Sequence, residues 1–227
     1  MHSSLPAQHA AAPAFVGDRL WLDFVNTDDV GDGARSDALR DFDLFVRWLE
    51  LAAVLDGERA AGLRRRAEQQ PAGATAALAE ARRVRAALRQ LAERGGASER
   101  VRLDALAEIN RVLSRSAGTR RVEPRPDGTF ARSFVPGGDA FAGLMIQVVD
   151  SAADALILGE LARVHRCADP RCRRVFYDAT KNRARRWCDM ATCGNRAKAA
   201  RFRARGVGER AAGAPEHDDR VSAAPAL

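Results

Sequence analysis

"RRWCDMATCGNRAKAARFRAR", residues 185–205, holds two of the chain's four cysteines and runs from them straight into a series of arginines and lysines. The other two cysteines lie just upstream, so that Cys167, Cys172, Cys188 and Cys193 form the pattern C-x4-C-x15-C-x4-C. "CADPRC" and "CDMATC" repeat one internal spacing. Zinc needs four ligands at the corners of a tetrahedron. Two short loops that each deliver a cysteine pair supply them once a spacer brings the loops together. The leading reading is therefore one structural Zn(2+). Disulfides, which need an oxidising compartment, a thiol switch built on the zinc site and inert core cysteines stay open beside it. His165 is either a substitute ligand or, more simply, a residue at a helix end that suits the helix dipole.

The basic charge is concentrated in the same region. Residues 163–205 hold 14 Lys and Arg against three acids, a net of +11, whereas the whole chain is +7, so the rest sums to −4. A concentrated basic patch points to a polyanion such as nucleic acid. The alternative is a solvated surface in an arginine-rich composition. After Cys193, Gly194 is expected to turn the chain and aim an amide at a thiolate, and Asn195 to cap a helix. That helix, "RAKAARFRAR", opens at Arg196. It puts Lys198, Arg201 and Arg205 on one side and Arg196 and Arg203 on another, with no wide apolar stripe. The spacer adds Lys181, Arg183, Arg185 and Arg186. These nine cations are the candidate nucleic-acid contacts, with phosphate contact the primary expectation. Phe176 and Trp187 read as the mini-core of a module too small to fold without its metal.

The residues before the cysteines read as mainly α-helical. Apolar stripes predict helices over 40–56 (Phe42, Phe45, Val46, Leu49, Ala53) and 75–94 (Leu78, Ala81, Val84, Leu88, Leu91). A third, over 99–115, is capped by Ser98 and turns Leu106, Ile109 and Leu113 inward. A fourth runs from Asp139 as a long helix over 140–165, and a weaker one covers 58–69. Gly95-Gly96 stops the second. Asp127-Gly128 between two extended runs predicts a β-hairpin. "GDRLWLDFVNT", at 17–27, fits a helix or a strand equally. The expected domains are a disordered leader at 1–14, a helical domain at 15–160, a zinc module at 161–206 that ends in the basic helix, and a disordered tail at 207–227.

Composition bounds the function. There is no run of 18 apolar residues to span a membrane, and the first residues lack the charged and apolar regions of a signal peptide. A cytoplasmic protein is expected, associated with the nucleoid when bound. No nucleophile–base–acid set, phosphate-cradling glycine loop or paired-histidine motif stands out, so no enzyme is expected. Asp23, Asn26 and Thr27 form a polar cluster beside apolar residues; they either line an effector pocket or tie down neighbouring backbone, as such side chains commonly do.

The "CGNR" at 193–196, preceded by "RRWC" at 185–188, resembles the CGNR zinc finger. That finger closes bacterial proteins described as stress-induced transcription regulators. "RLWLDFVNT" at 19–27 resembles the opening of the ABATE domain that precedes it there. The resemblance spans about 15–205. It implies that the four cysteines bind zinc and that the finger binds DNA. The leading reading adds a helical domain that senses a small-molecule effector, forms a homodimer, or both. The alternatives are a zinc-stabilised RNA-binding or protein-interaction module and a zinc-thiolate redox sensor.

Overall fold

The computed structural model describes residues 14–212 apart from 29, 32, 33, 36, 116 and 126. The expected leader, save Ala14, and the tail beyond residue 212 lie outside the described residues. Contacts divide the chain into two compact units, one up to Cys188 and one from Asp189 onward.

The first unit is built on α1 (Leu20–Val25), so the ambiguous motif is a helix. Six residues are too few for a helix to persist alone, and burial supplies what propensity cannot. Trp21, Leu22, Phe24 and Val25 are all fully buried, each side chain contributing about 1.5–3 kcal/mol. The ring of Phe24 meets Trp48 edge-on at 5.2 Å. A two-residue ribbon follows, β1 (Val30–Gly31) with β2 (Ala34–Arg35).

Four helices come next. α2 (Phe42–Leu51) is capped by Asp41, which accepts from the Leu44 amide at 2.9 Å. It is shorter than the expected 40–56. Ala53 adopts φ +55°, which breaks the helix, and Val54 and Leu55 turn into the core. α3 (Gly57–Gln69) is capped by Asp56. α4 (Pro71–Arg94) starts four residues earlier than the stripe indicated, because proline is pre-set for a first turn. α5 (Glu99–Arg115) has the expected bounds, with the Ser98 hydroxyl accepting from Val101. Its buried face is Ala105, Ile109 and Val112, whereas Leu106 is 40% exposed.

The expected hairpin is present. β3 (Gly118–Pro124) pairs antiparallel with β4 (Phe130–Pro136) in continuous register from Gly118↔Pro136 to Pro124↔Phe130. The long helix over 140–165 is not. Asp139 accepts from Phe141 in a series of turns, and α6 covers only Ile146–Ile157. Two glycines set those limits. Gly143 has φ +75° and lies so close to the Phe134 ring that a Cβ would come within 2.3 Å of it. Gly159 takes φ +67° and stops the helix. After a short 3-10 turn, β5 (Val164–Arg166) pairs with β6 (Val175–Tyr177). His165 therefore sits in a strand, against Phe176, and not at a helix end.

The second unit opens with a π-helical turn, Met190–Gly194, that leads into α7 (Asn195–Ala212). α7 continues past Gly206 into the stretch expected to be tail. No helix among the described residues is long and apolar enough to cross a membrane.

Candidate metal centre and basic segment

The cysteine ligands come from two loops. β5 ends at Arg166, so Cys167 is the next residue, and its amide donates to Arg174 across the loop at 2.9 Å. The Cys172 amide closes on the Asp169 carbonyl, also at 2.9 Å. The Asp169 side chain accepts from the Arg171 amide. "CADPRC" is thus a tight turn held by its own aspartate, as the Asp-Pro pair favours. The second loop reaches the first through two backbone donors. The Ala168 amide donates to Arg186, and the Cys188 amide lies 3.5 Å from the Cys167 sulfur.

The four sulfurs lie within 4.8 Å of one another and all four cysteines are buried. None of them is joined in a disulfide. The Cys172 and Cys188 sulfurs are 3.7 Å apart. A bonded pair would stand about 2.05 Å apart. A tetrahedral zinc with bonds of about 2.3 Å sets its sulfurs about 3.8 Å apart. The spacing, the burial and the amide aimed at Cys167 all fit zinc tetrathiolate, which carries a formal −2 and needs donors around it. His165 is not part of the cluster.

Two family models match this chain. The one described as "ABATE: Putative stress-induced transcription regulator" covers residues 18–163.

The chain belongs to the ABATE family.

The CGNR zinc finger covers residues 163–206, directly following. No curated protein matches the chain. The cysteines of this ABATE protein hold one structural zinc ion, and both family descriptions are of regulatory or metal-binding proteins, with no enzyme among them.

The start of the basic helix differs from expectation. Asn195 has helical dihedrals, φ −65° and ψ −38°, so it is not the cap; its side-chain amide donates to Ala191. The capping carboxylate is Asp189, one residue after Cys188, which accepts from the Ala191 and Thr192 amides and the Thr192 hydroxyl. Gly194 is buried, does not take left-handed backbone, and donates to the Asp189 carbonyl. The chain therefore begins to coil a turn earlier, through Cys193 itself. "DMAT" carried the signal, an Asx-type cap with a threonine three residues on.

The candidate cations fall into different environments. Lys181, Arg183, Arg186, Lys198, Arg201 and Arg203 are exposed, and Arg196 is half-buried. The side chain of Arg205 lies outside the described residues. Arg185 is engaged. Its guanidinium donates to the carbonyls of Cys188 at 2.5 Å, Trp187 at 3.1 Å, Tyr177 at 3.3 Å and Val16 at 3.4 Å, pairs with Asp18, and stacks over Phe176. Phe176 is fully buried, Trp187 is half-buried beside Arg186, and Phe202 is 76% exposed.

Asp23, Asn26 and Thr27 all bond to the fold. Asp23 accepts from the Gly17 amide at 2.7 Å, and burial pushes its carboxyl up to about 6. Asn26 pairs with both backbone groups of Val175. The Thr27 hydroxyl donates to Phe24 and accepts from Arg85, whose guanidinium also forks onto Asp37. Sequence reasoning missed Arg89, a buried arginine in α4. It donates to the carbonyls of Val25 and Arg173 and pairs with Asp28. Its only local signal is a charge inside the apolar run "ALRQLA".

Proposed function

We propose that this chain is a transcription regulator whose zinc-organised C-terminal segment binds duplex DNA through phosphate contacts. The observation that carries the reading is a set of six exposed cations, Lys181, Arg183, Arg186, Lys198, Arg201 and Arg203, on a segment ordered by the metal ligands. Zinc contributes folding energy by tying its ligand loops together. The cations neutralise phosphates and release counterions. Arg185 would have to give up its carbonyl partners to join them. The helical domain serves effector sensing or dimerisation in this reading, and the protein works in the cytoplasm on the nucleoid.

A second reading rests on one observation. Phe202 stands exposed among arginines, an arrangement that suits stacking of an unpaired base. The buried Phe176 argues the other way.

Anisotropy titrations with a mixed-sequence duplex test the proposal. With about six phosphate contacts, affinity should fall roughly a thousandfold between 50 and 200 mM salt. Cys188→Ser should abolish binding. A flat salt response, or binding that survives Cys188→Ser, would sink the proposal. Preference for a single strand, lost in Phe202→Ala, would establish the second reading instead.

A further inference from the structure

The ligand loops are held by the helical domain as well as by each other. After Cys172, alternate residues are tied to it. The Arg173 carbonyl accepts from Arg89 of α4 at 3.0 Å. The Val175 amide and carbonyl both bond the Asn26 side chain, at 2.9 and 2.8 Å. The Tyr177 amide donates to the Gly17 carbonyl at 2.9 Å. β6 has β5 on one edge. On its other edge the amide group of Asn26, at the end of α1, does what a third strand would do. Asn26 is only 6% exposed, and a carboxamide is the side chain that offers the donor and the acceptor of a peptide together.

The second loop is tied as well. Arg185 bonds the carbonyls of Trp187 and of the ligand Cys188 while reaching Val16 and Asp18 of the segment before α1. Residues 17–19 are fixed in turn, since Arg19 forks onto Glu160 and stacks on Tyr177.

We infer that Asn26 and Arg185 are positioning residues of the zinc site, so that the metal site and the helical domain form one thermodynamic unit. Three of the four ligands, Cys167, Cys172 and Cys188, belong to the compact unit that contains α1 and α4. Linkage makes such coupling reciprocal. If the helical domain pre-positions the thiolates, it raises zinc affinity, and zinc then stabilises the helical domain by the same factor. An effector or a substitution acting on α1 would be read at the metal.

The test uses the full chain carrying Trp187→Phe, so that fluorescence reports only on Trp21 and Trp48, both buried in the helical core. Zinc withdrawal should lower the urea midpoint of that signal. Well below the unfolding transition, Asn26→Ala should speed zinc transfer to a chelating dye by roughly tenfold, the order of effect known for groups behind metal ligands. Arg185→Lys, which keeps the charge but loses the fork, should do likewise. The Co(2+)-loaded variants should show altered thiolate charge-transfer bands. Leu63→Ala, in the buried face of α3, is the control that lowers stability without touching the loops. A midpoint indifferent to zinc would overturn the inference, and so would zinc release equal in Leu63→Ala and Asn26→Ala. If Asn26→Ala does not fold, Arg185→Lys decides alone: unchanged zinc release in it would overturn the inference.

Discussion

α1 and α7 are opposite solutions to the problem of making a helix. α1 has six residues, two of them aromatic and one β-branched, and by propensity should scarcely exist. It persists because its apolar side chains sit in the middle of a core. α7 has 18 residues, opens with Asn195, Arg196, Ala197 and Lys198, and exposes Lys198, Arg201, Arg203 and even Phe202. It draws on propensity and on the Asp189 cap. The difference teaches what each helix contributes. The helix that packing dictates supplies position; the helix that packing leaves free supplies charge.

Substitutions can break that contrast. Phe24→Ala should cost about 3–5 kcal/mol in urea unfolding; a cost below about 1 kcal/mol would mean that α1 is not held by its core. Asp189→Ala removes a cap and should cost about 1 kcal/mol locally, read as roughly fivefold faster hydrogen exchange at the Ala191 and Thr192 amides. Exchange unchanged there would show that the metal loop holds the turn without the carboxylate.

A pH-dependent effect is expected at Asp23. Desolvation raises its carboxyl to about 6 in the fold, with the Gly17 amide pulling partly back, against about 3.9 in an unfolded chain. Between those values the folded chain binds more protons, so this carboxyl's stabilising contribution is complete below about 4 and lost as pH rises through 6. The stability of the native chain minus that of Asp23→Asn should therefore decline from pH 4 to pH 6 and then level. A difference that is flat, or that rises, would contradict the buried-carboxyl account. Phe202→Ala, at the other end of the scale, should change stability by less than about 0.5 kcal/mol.

Much of the site was legible because metal chemistry is local. Four cysteines in matched spacing specify a donor set, and the structure brings those sulfurs together. The hairpin was legible from Asp127-Gly128, and the second and third helices from their stripes. The longest expected helix failed where Gly143 and Gly159 adopt positive φ, which periodicity does not register. The cap at Asn195 failed because a closer carboxylate, Asp189, captured the free amides first. The exposed face of Leu106 was misread because α5 buries smaller residues, Ala105 among them.

By itself, then, the sequence determined the ligand set, the placement of positive charge after it, and the helical class of what precedes it, because each depends on residues close together along the chain. Only the tertiary structure decided which polar residues serve the metal site. Asn26 meets Val175 across 149 positions and Arg185 meets Asp18 across 167. A side chain that replaces a strand edge leaves no periodicity, because its partner is a backbone group that every residue carries. Burial decided the rest: the same guanidinium is an exposed cation at Arg201 and a structural tie at Arg185, where carbonyls surround it.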